Sequence, residues 1–120
     1  MTHAQQAVDP EALDRLLEMT GGDPDFLAEL IDTFLEDAVA QLEALRTAVS
    51  AGDAEAAIRP AHSLKSNSAS MGADRLADLS RALEADARGG RIDDGPARVD
   101  DAAAEFEAVR TALLAIRKAP

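Results

Sequence analysis

A chain of 120 residues is long enough for one domain with a buried core, and its formal net charge of −11 argues against nucleic acid and anionic membranes as partners. No cysteine is present, which excludes a disulfide framework, a thiolate nucleophile and cysteine metal ligands. Tryptophan and tyrosine are absent and phenylalanine occurs three times, so the core must come from Leu, Ala, Val and Ile, a composition that favours helix over sheet.

Residues 1–8 show no periodicity and are expected to form a flexible tail, with His3 a solvated residue of no consequence. They lack a basic segment followed by an apolar one, so no signal peptide is expected. No apolar run approaches the roughly 20 residues needed to cross a bilayer, and a cytoplasmic protein is the expectation. Asp9-Pro10 and Asp23-Pro24 each set a capping side chain before a proline at the first helical position. The first pair predicts a short helix with Leu13, Leu16 and Leu17 on one side, ending near Gly21-Gly22. The second opens the longest helix. Its apolar set is Phe26, Leu27, Leu30, Ile31, Phe34, Leu35, Ala38, Val39, Leu42, Leu45 and Val49, with spacings of three and four kept for about seven turns. Ser50, Ala51 and Gly52 close it.

Asp53 caps a third helix with Ala54, Ala57, Ile58, Ala61, Leu64 and Met71 as its apolar positions and Pro60 inside the run. An interior proline deletes one backbone bond and costs roughly 3 kcal/mol. The run is therefore either kinked just before His62 or split there, and a tolerated kink is the expectation. Gly72 suits a left-handed helix end. From Asp74 a fourth pattern runs through Leu76, Leu79, Leu83 and Ala87 to Gly89-Gly90. After the loop RIDDG, Pro96 begins a fifth helix with Val99, Ala103, Phe106, Val109, Leu113 and Ile116 inward. No strand pattern, internal repeat or low-complexity linker is visible. The expected fold is all-α, an antiparallel up-and-down four-helix bundle with a short N-terminal capping helix, in a single domain over residues 9–119. Such a bundle can bury its core as a monomer.

The stretch from Ala61 to Gly72, AHSLKSNSASMG, carries the candidate site. At about 100° per residue, His62, Lys65, Ser66 and Ala69 share one face of a helix, while Ala57, Ala61, Leu64, Ser68 and Met71 turn away from it. His62 is the sole histidine outside the first few residues, Lys65 is one of two lysines, and no acidic residue occurs from Ala56 to Ala73. A carboxylate-bridged di-metal site needs Glu-x-x-His pairs, but Arg59 stands three before His62 and Glu55 seven before it. Without a second histidine in the folded part, no metal site is expected. There is no G-x-S-x-G elbow and no glycine-rich phosphate loop. What the residues support is histidine as a phosphoryl acceptor, since a neutral imidazole is nucleophilic near pH 7. Phosphoryl transfer asks for in-line approach and for charge near the transferring oxygens, which Lys65 is placed to supply. Each residue alone has a commonplace reading: a solvated histidine, a solvated lysine, a helix-ending glycine, small side chains at a helix contact. Their conjunction on one face carries the case.

The same residues resemble a known family. Ala61-His62-Ser63-Leu64-Lys65, Gly72 ten residues after the histidine, and then Leu76, Leu79, Leu83 and Glu84 are similar to the pattern of histidine-containing phosphotransfer (HPt) domains of bacterial two-component phosphorelays. The stretch DPDFLAELIDTFLEDAVAQLEAL resembles that family's second helix, so the likeness covers almost the whole chain. The sequence departs from the pattern at Ser66, where the family most often has glycine, at Asn67, where serine or alanine is usual, and at Pro60. The resemblance implies that His62 accepts phosphate from a phospho-aspartate on the receiver domain of a hybrid histidine kinase and passes it to the receiver domain of a response regulator. It further implies an electrostatic role for Lys65 toward the phosphate, a docking face that includes Ser66, Ala69 and Arg59, and a structural turn at Gly72. No cofactor is implied. Mg²⁺ and the catalytic groups would belong to the partner, making this chain a carrier and not an enzyme. Nothing beyond the bundle is evident, so a freestanding shuttle is expected. Two rivals stand beside this reading. One is a helical adaptor that binds receiver domains or other helices without being phosphorylated. The other is an enzyme using His62 as general base, disfavoured because the sequence shows no convergent acid and no substrate pocket. The cognate kinase and regulator, and the direction of phosphate flow, are not written in the sequence.

Overall fold

The computed structural model describes residues 6–118, most of which lie in five helices, with no strand among the described residues. They are α1 (Pro10–Met19), α2 (Pro24–Ser50), α3 (Ala54–Ser70), α4 (Asp74–Arg88) and α5 (Gly95–Lys118). The starts follow the capping logic of the sequence. Asp9 accepts from the Glu11 N–H, Asp23 from Asp25 and Asp53 from Ala56, each at 3.0 Å, which satisfies donors that an isolated helix leaves free. The ends of α2, α3 and α4 share one closure, in which an N–H bonds the carbonyl five residues back: Asp53 to Ala48, Ala73 to Ser68 and Arg91 to Asp86.

The N-terminal expectation needs correcting where the structure describes it. Ala7 and Val8 are buried in the core, so the packed chain starts before Asp9. His3, with the rest of residues 1–5, lies outside the described residues, as does residue 119. Pro60 does not split α3, which runs unbroken through it with the ring buried. The carbonyl deprived of its partner belongs to Ala56, an exposed residue in the first turn where water can substitute.

The inward stripes are largely as their spacing predicts. Ile31, Leu45, Leu64, Leu76, Val99, Val109 and Leu113 are fully buried, and Phe34 meets Phe106 with ring centroids 6.5 Å apart. Three apolar positions assigned inward are instead exposed: Phe26, Val39 and Ile116. Phe26 and Ile116 sit in the terminal turns of α2 and α5, and Val39 lies at the margin of its stripe. On α5 it is Ala102, not Ala103, that faces the core, because Val99, Ala102, Phe106, Val109 and Leu113 form the regular three-four series.

Helix contacts close a ring: α3 packs most extensively on α4, α4 on α5, α5 on α2 and α2 on α3. The described residues span 45 × 28 × 18 Å, the long dimension matching the roughly 40 Å of a 27-residue helix such as α2. α1 touches α2 and is tied to the α3–α4 turn, where the Asp9 N–H donates to the Gly72 carbonyl at 2.8 Å. Gly72 has a φ of +73°, and a Cβ there would stand 2.8 Å from that of Ala12. Conformation and close approach both require glycine at this turn.

Candidate functional site

α3 presents His62 to solvent, its side chain 54% exposed, while Ala57, Ala61 and Leu64 of the same helix go into the core. Lys65, Ser66 and Ala69 lie along that outer side, Lys65 half-buried and the other two exposed. Arg59 is exposed and has no ion-pair partner among the described residues. Gly72 sits at the end of the same helix, in the turn described above.

The group that organises the site comes from α4. Glu84 is buried, its side chain 8% exposed, and it accepts four hydrogen bonds. Its Oε1 receives Lys65 Nζ at 2.6 Å. Its Oε2 receives His62 Nδ1 at 2.9 Å, Arg88 Nη2 at 2.9 Å and Arg88 Nε at 3.1 Å. The bond from Lys65, reinforced by those from Arg88 and His62, outweighs the opposing effect of burial and holds the Glu84 carboxyl down at about 2. It is therefore ionised throughout the neutral range and can only accept.

That fixes the imidazole. In a neutral ring one nitrogen carries the proton, and opposite a carboxylate it must be Nδ1, so Nε2 keeps its lone pair. The lone pair belongs to a side chain on an exposed helix surface. The arrangement can therefore offer a nucleophile to another molecule, with ring orientation and tautomer both set from beneath.

Lys65, expected to lend its charge to a phosphate, has its ammonium bound to Glu84. The absence of a convergent acid, used against a general-base role for His62, is overturned, because Glu84 converges on it from α4. Sequence reasoning assigned no function to Glu84 and passed over Arg88. The available signal was a carboxylate beside the inward Leu83, four residues before an arginine. A buried acid needs a partner of opposite charge, and Arg88 alone does not explain its burial. The separation of 22 residues from His62 leaves no local trace of the contact. Asn67, one of the departures from the family pattern, bonds across to Asp37 of α2 and not within its own helix.

Among the described residues no group of three or more His, Asp or Glu side chains is arranged to hold a metal ion, and no helix is long and apolar enough to cross a membrane.

Comparison with known proteins gives the following. The Hpt domain family model matches residues 29–118. Among solved structures, the crystal structure of histidine-containing phosphotransfer protein B (HptB) from Pseudomonas aeruginosa PAO1 is similar, with 36% sequence identity and a TM-score of 0.87 over 93% of this chain and 95% of that one. No curated protein sequence matches.

Proposed function

Because this chain belongs to the Hpt domain family, we propose that it is a phosphorelay carrier in which His62 takes a phosphoryl group from the receiver-domain phospho-aspartate of a hybrid histidine kinase and passes it to a response regulator. The observation that carries this reading is the exposed imidazole held through Nδ1 by an ionised, buried Glu84. The scaffold in this reading is an antiparallel up-and-down four-helix bundle, α2 to α5, capped by α1 and working as a monomer in the cytoplasm.

The step balances without further reagents. The Nε2 lone pair attacks phosphorus in line, the P–O bond to the partner's aspartate breaks, and the electron pair leaves with that carboxylate. Nδ1 keeps its proton, so the phosphorylated ring carries positive charge, which Glu84 stabilises at 2.9 Å. Transfer to the response regulator is the reverse step on a second aspartate. Lys65 and Arg88 act by keeping Glu84 ionised and in place, and Mg²⁺ with the remaining catalytic groups belongs to the receiver domains. Ser66, Ala69 and Arg59 line the approach. Ser66 lies about 40° around the helix from His62 and one turn along, and a hydroxymethyl group leaves the in-line path open.

The test is labelling by an isolated receiver domain phosphorylated with acetyl phosphate. The protein should acquire an acid-labile, base-stable phosphate, His62→Gln should abolish it, and Ser66→Leu should block it in a chain whose helical circular dichroism is unchanged. A stably folded wild-type chain that binds receiver domains but takes no label would instead be an adaptor. Labelling that persists in His62→Gln would move the acceptor elsewhere.

A further inference from the structure

Beside α3, on the side away from Glu84, a groove of about 300 Å³ opens between α2 and α3. Leu30, Phe34 and Met71 give it an apolar floor, and Thr33, Asp37 and Asn67 stand at its rim. Asp37 is held from two directions: Asn67 Nδ2 donates to Oδ2 at 2.9 Å and Gln41 Nε2 to Oδ1 at 3.2 Å. Both donors are neutral amides, and no lysine or arginine pairs with Asp37 among the described residues. The groove thus combines a greasy bed with a fixed, uncompensated negative charge at its edge.

We propose that this groove receives a lysine or arginine side chain of the receiver domain that docks over His62. The aliphatic stem would lie on Leu30, Phe34 and Met71 while the cationic head meets Asp37. Long basic side chains pack in this divided way because their stems are apolar and their heads are not. The position fits the same partner. Ser70, which also lines the groove, is eight residues after His62, about 12 Å along the helix axis. A standard protein interface covers about 800 Å² per partner, a disc of roughly 16 Å radius, so a domain centred on His62 reaches the groove. Asn67 stands where the family resemblance leads one to expect serine or alanine, neither of which has the reach of the amide that fixes Asp37. The inference rests on the phosphotransfer reading and adds to it the residue that selects among receivers.

The experiment measures transfer from an acetyl-phosphate-charged receiver domain, taken from a panel as the one that labels the protein fastest, over a range of receiver concentrations. Asp37→Asn, which is isosteric, should raise the half-saturating concentration about threefold, and Asp37→Lys about tenfold or more, with the saturating rate within about twofold of wild type. Wild-type docking should weaken more steeply with salt than that of Asp37→Asn. Reversing basic residues on the receiver one at a time should find one whose change to glutamate restores docking of Asp37→Lys. If both Asp37 variants keep wild-type half-saturation and salt dependence, the groove assignment is overturned and the transfer reading stands. If no receiver in the panel labels the wild-type chain, both fall together.

Discussion

Glu84 joins a buried carboxylate to three side chains that compete for its two oxygens, and the consequence can be read in acid. Its folded carboxyl sits at about 2 against an ordinary 4.5, so as pH falls the unfolded chain binds this proton first. The stabilisation is fully present above about pH 4.5, declines between there and about pH 2, and is lost below. Asp32, lowered by its hydrogen bonds to Arg117, works in the same direction but is exposed and solvent-screened. In urea titrations from pH 7 to pH 2, Glu84→Gln should be the less stable protein at neutral pH yet lose less over the acid range. Lys65→Ala should narrow the window from its acidic side, because the lysine bond is the largest cause of the shift. Parallel pH profiles for wild type and Glu84→Gln would show that the carboxylate contributes nothing through ionisation. The sequence disclosed His62 and the side of the helix it occupies, since both follow from spacing. It did not disclose who holds the ring, because that contact is made across two helices.

At the scale of elements, the starts of α1, α2 and α3 were legible in Asp9, Asp23 and Asp53, where side chain and backbone interact within two or three residues. The failures lie where neighbours decide. Phe26 and Val39 fit the stripe of α2 by spacing but are left exposed, and Ala7 and Val8 carry no periodicity yet are buried. Gly72 is legible in part: a helix-ending glycine is evident, whereas the approach of Ala12 and Asp9 is not. Gly72→Ala must place a Cβ at a φ of +73°, 2.8 Å from the Ala12 Cβ and 3.0 Å from the Asp9 carbonyl oxygen. A left-handed residue with a Cβ costs roughly 1–2 kcal/mol before any clash. The melting temperature should fall by about 10 °C or more. Because the clash is with α1, amide exchange should accelerate first at Asp9 and along α1. A melt unchanged within about 2 °C would mean that the turn and α1 shift apart at no cost.

Across the whole molecule, 23 acidic residues face 12 basic ones. Exposed pairs such as Arg46–Asp100 and Arg117–Asp32 connect α2 with α5, but solvent screens them and salt weakens them further. Repulsion among the excess carboxylates is weakened as well, and with a net charge of −11 it is the larger effect. Raising sodium chloride from about 20 mM to about 0.2 M at pH 7 should therefore raise the melting temperature by roughly 2–5 °C. A fall would show that ion pairing outweighs self-repulsion.

The low pKa of Glu84 also bears on the proposed phosphorylated state of His62. Water attacks a phosphorylated imidazole faster when a nearby base removes its proton, and a base is effective only if its conjugate acid is weak enough to hold that proton. A carboxylate of pKa about 2 is a feeble proton acceptor, although it is the anion nearest the ring in the contacts of this site. The bonds that aim the imidazole at a partner thus leave the carboxylate beside Nδ1 a poor base toward water. On the phosphorelay reading proposed above, the phosphorylated chain would be a store with little leakage, the interval between receipt and delivery timed by the arrival of the next receiver domain.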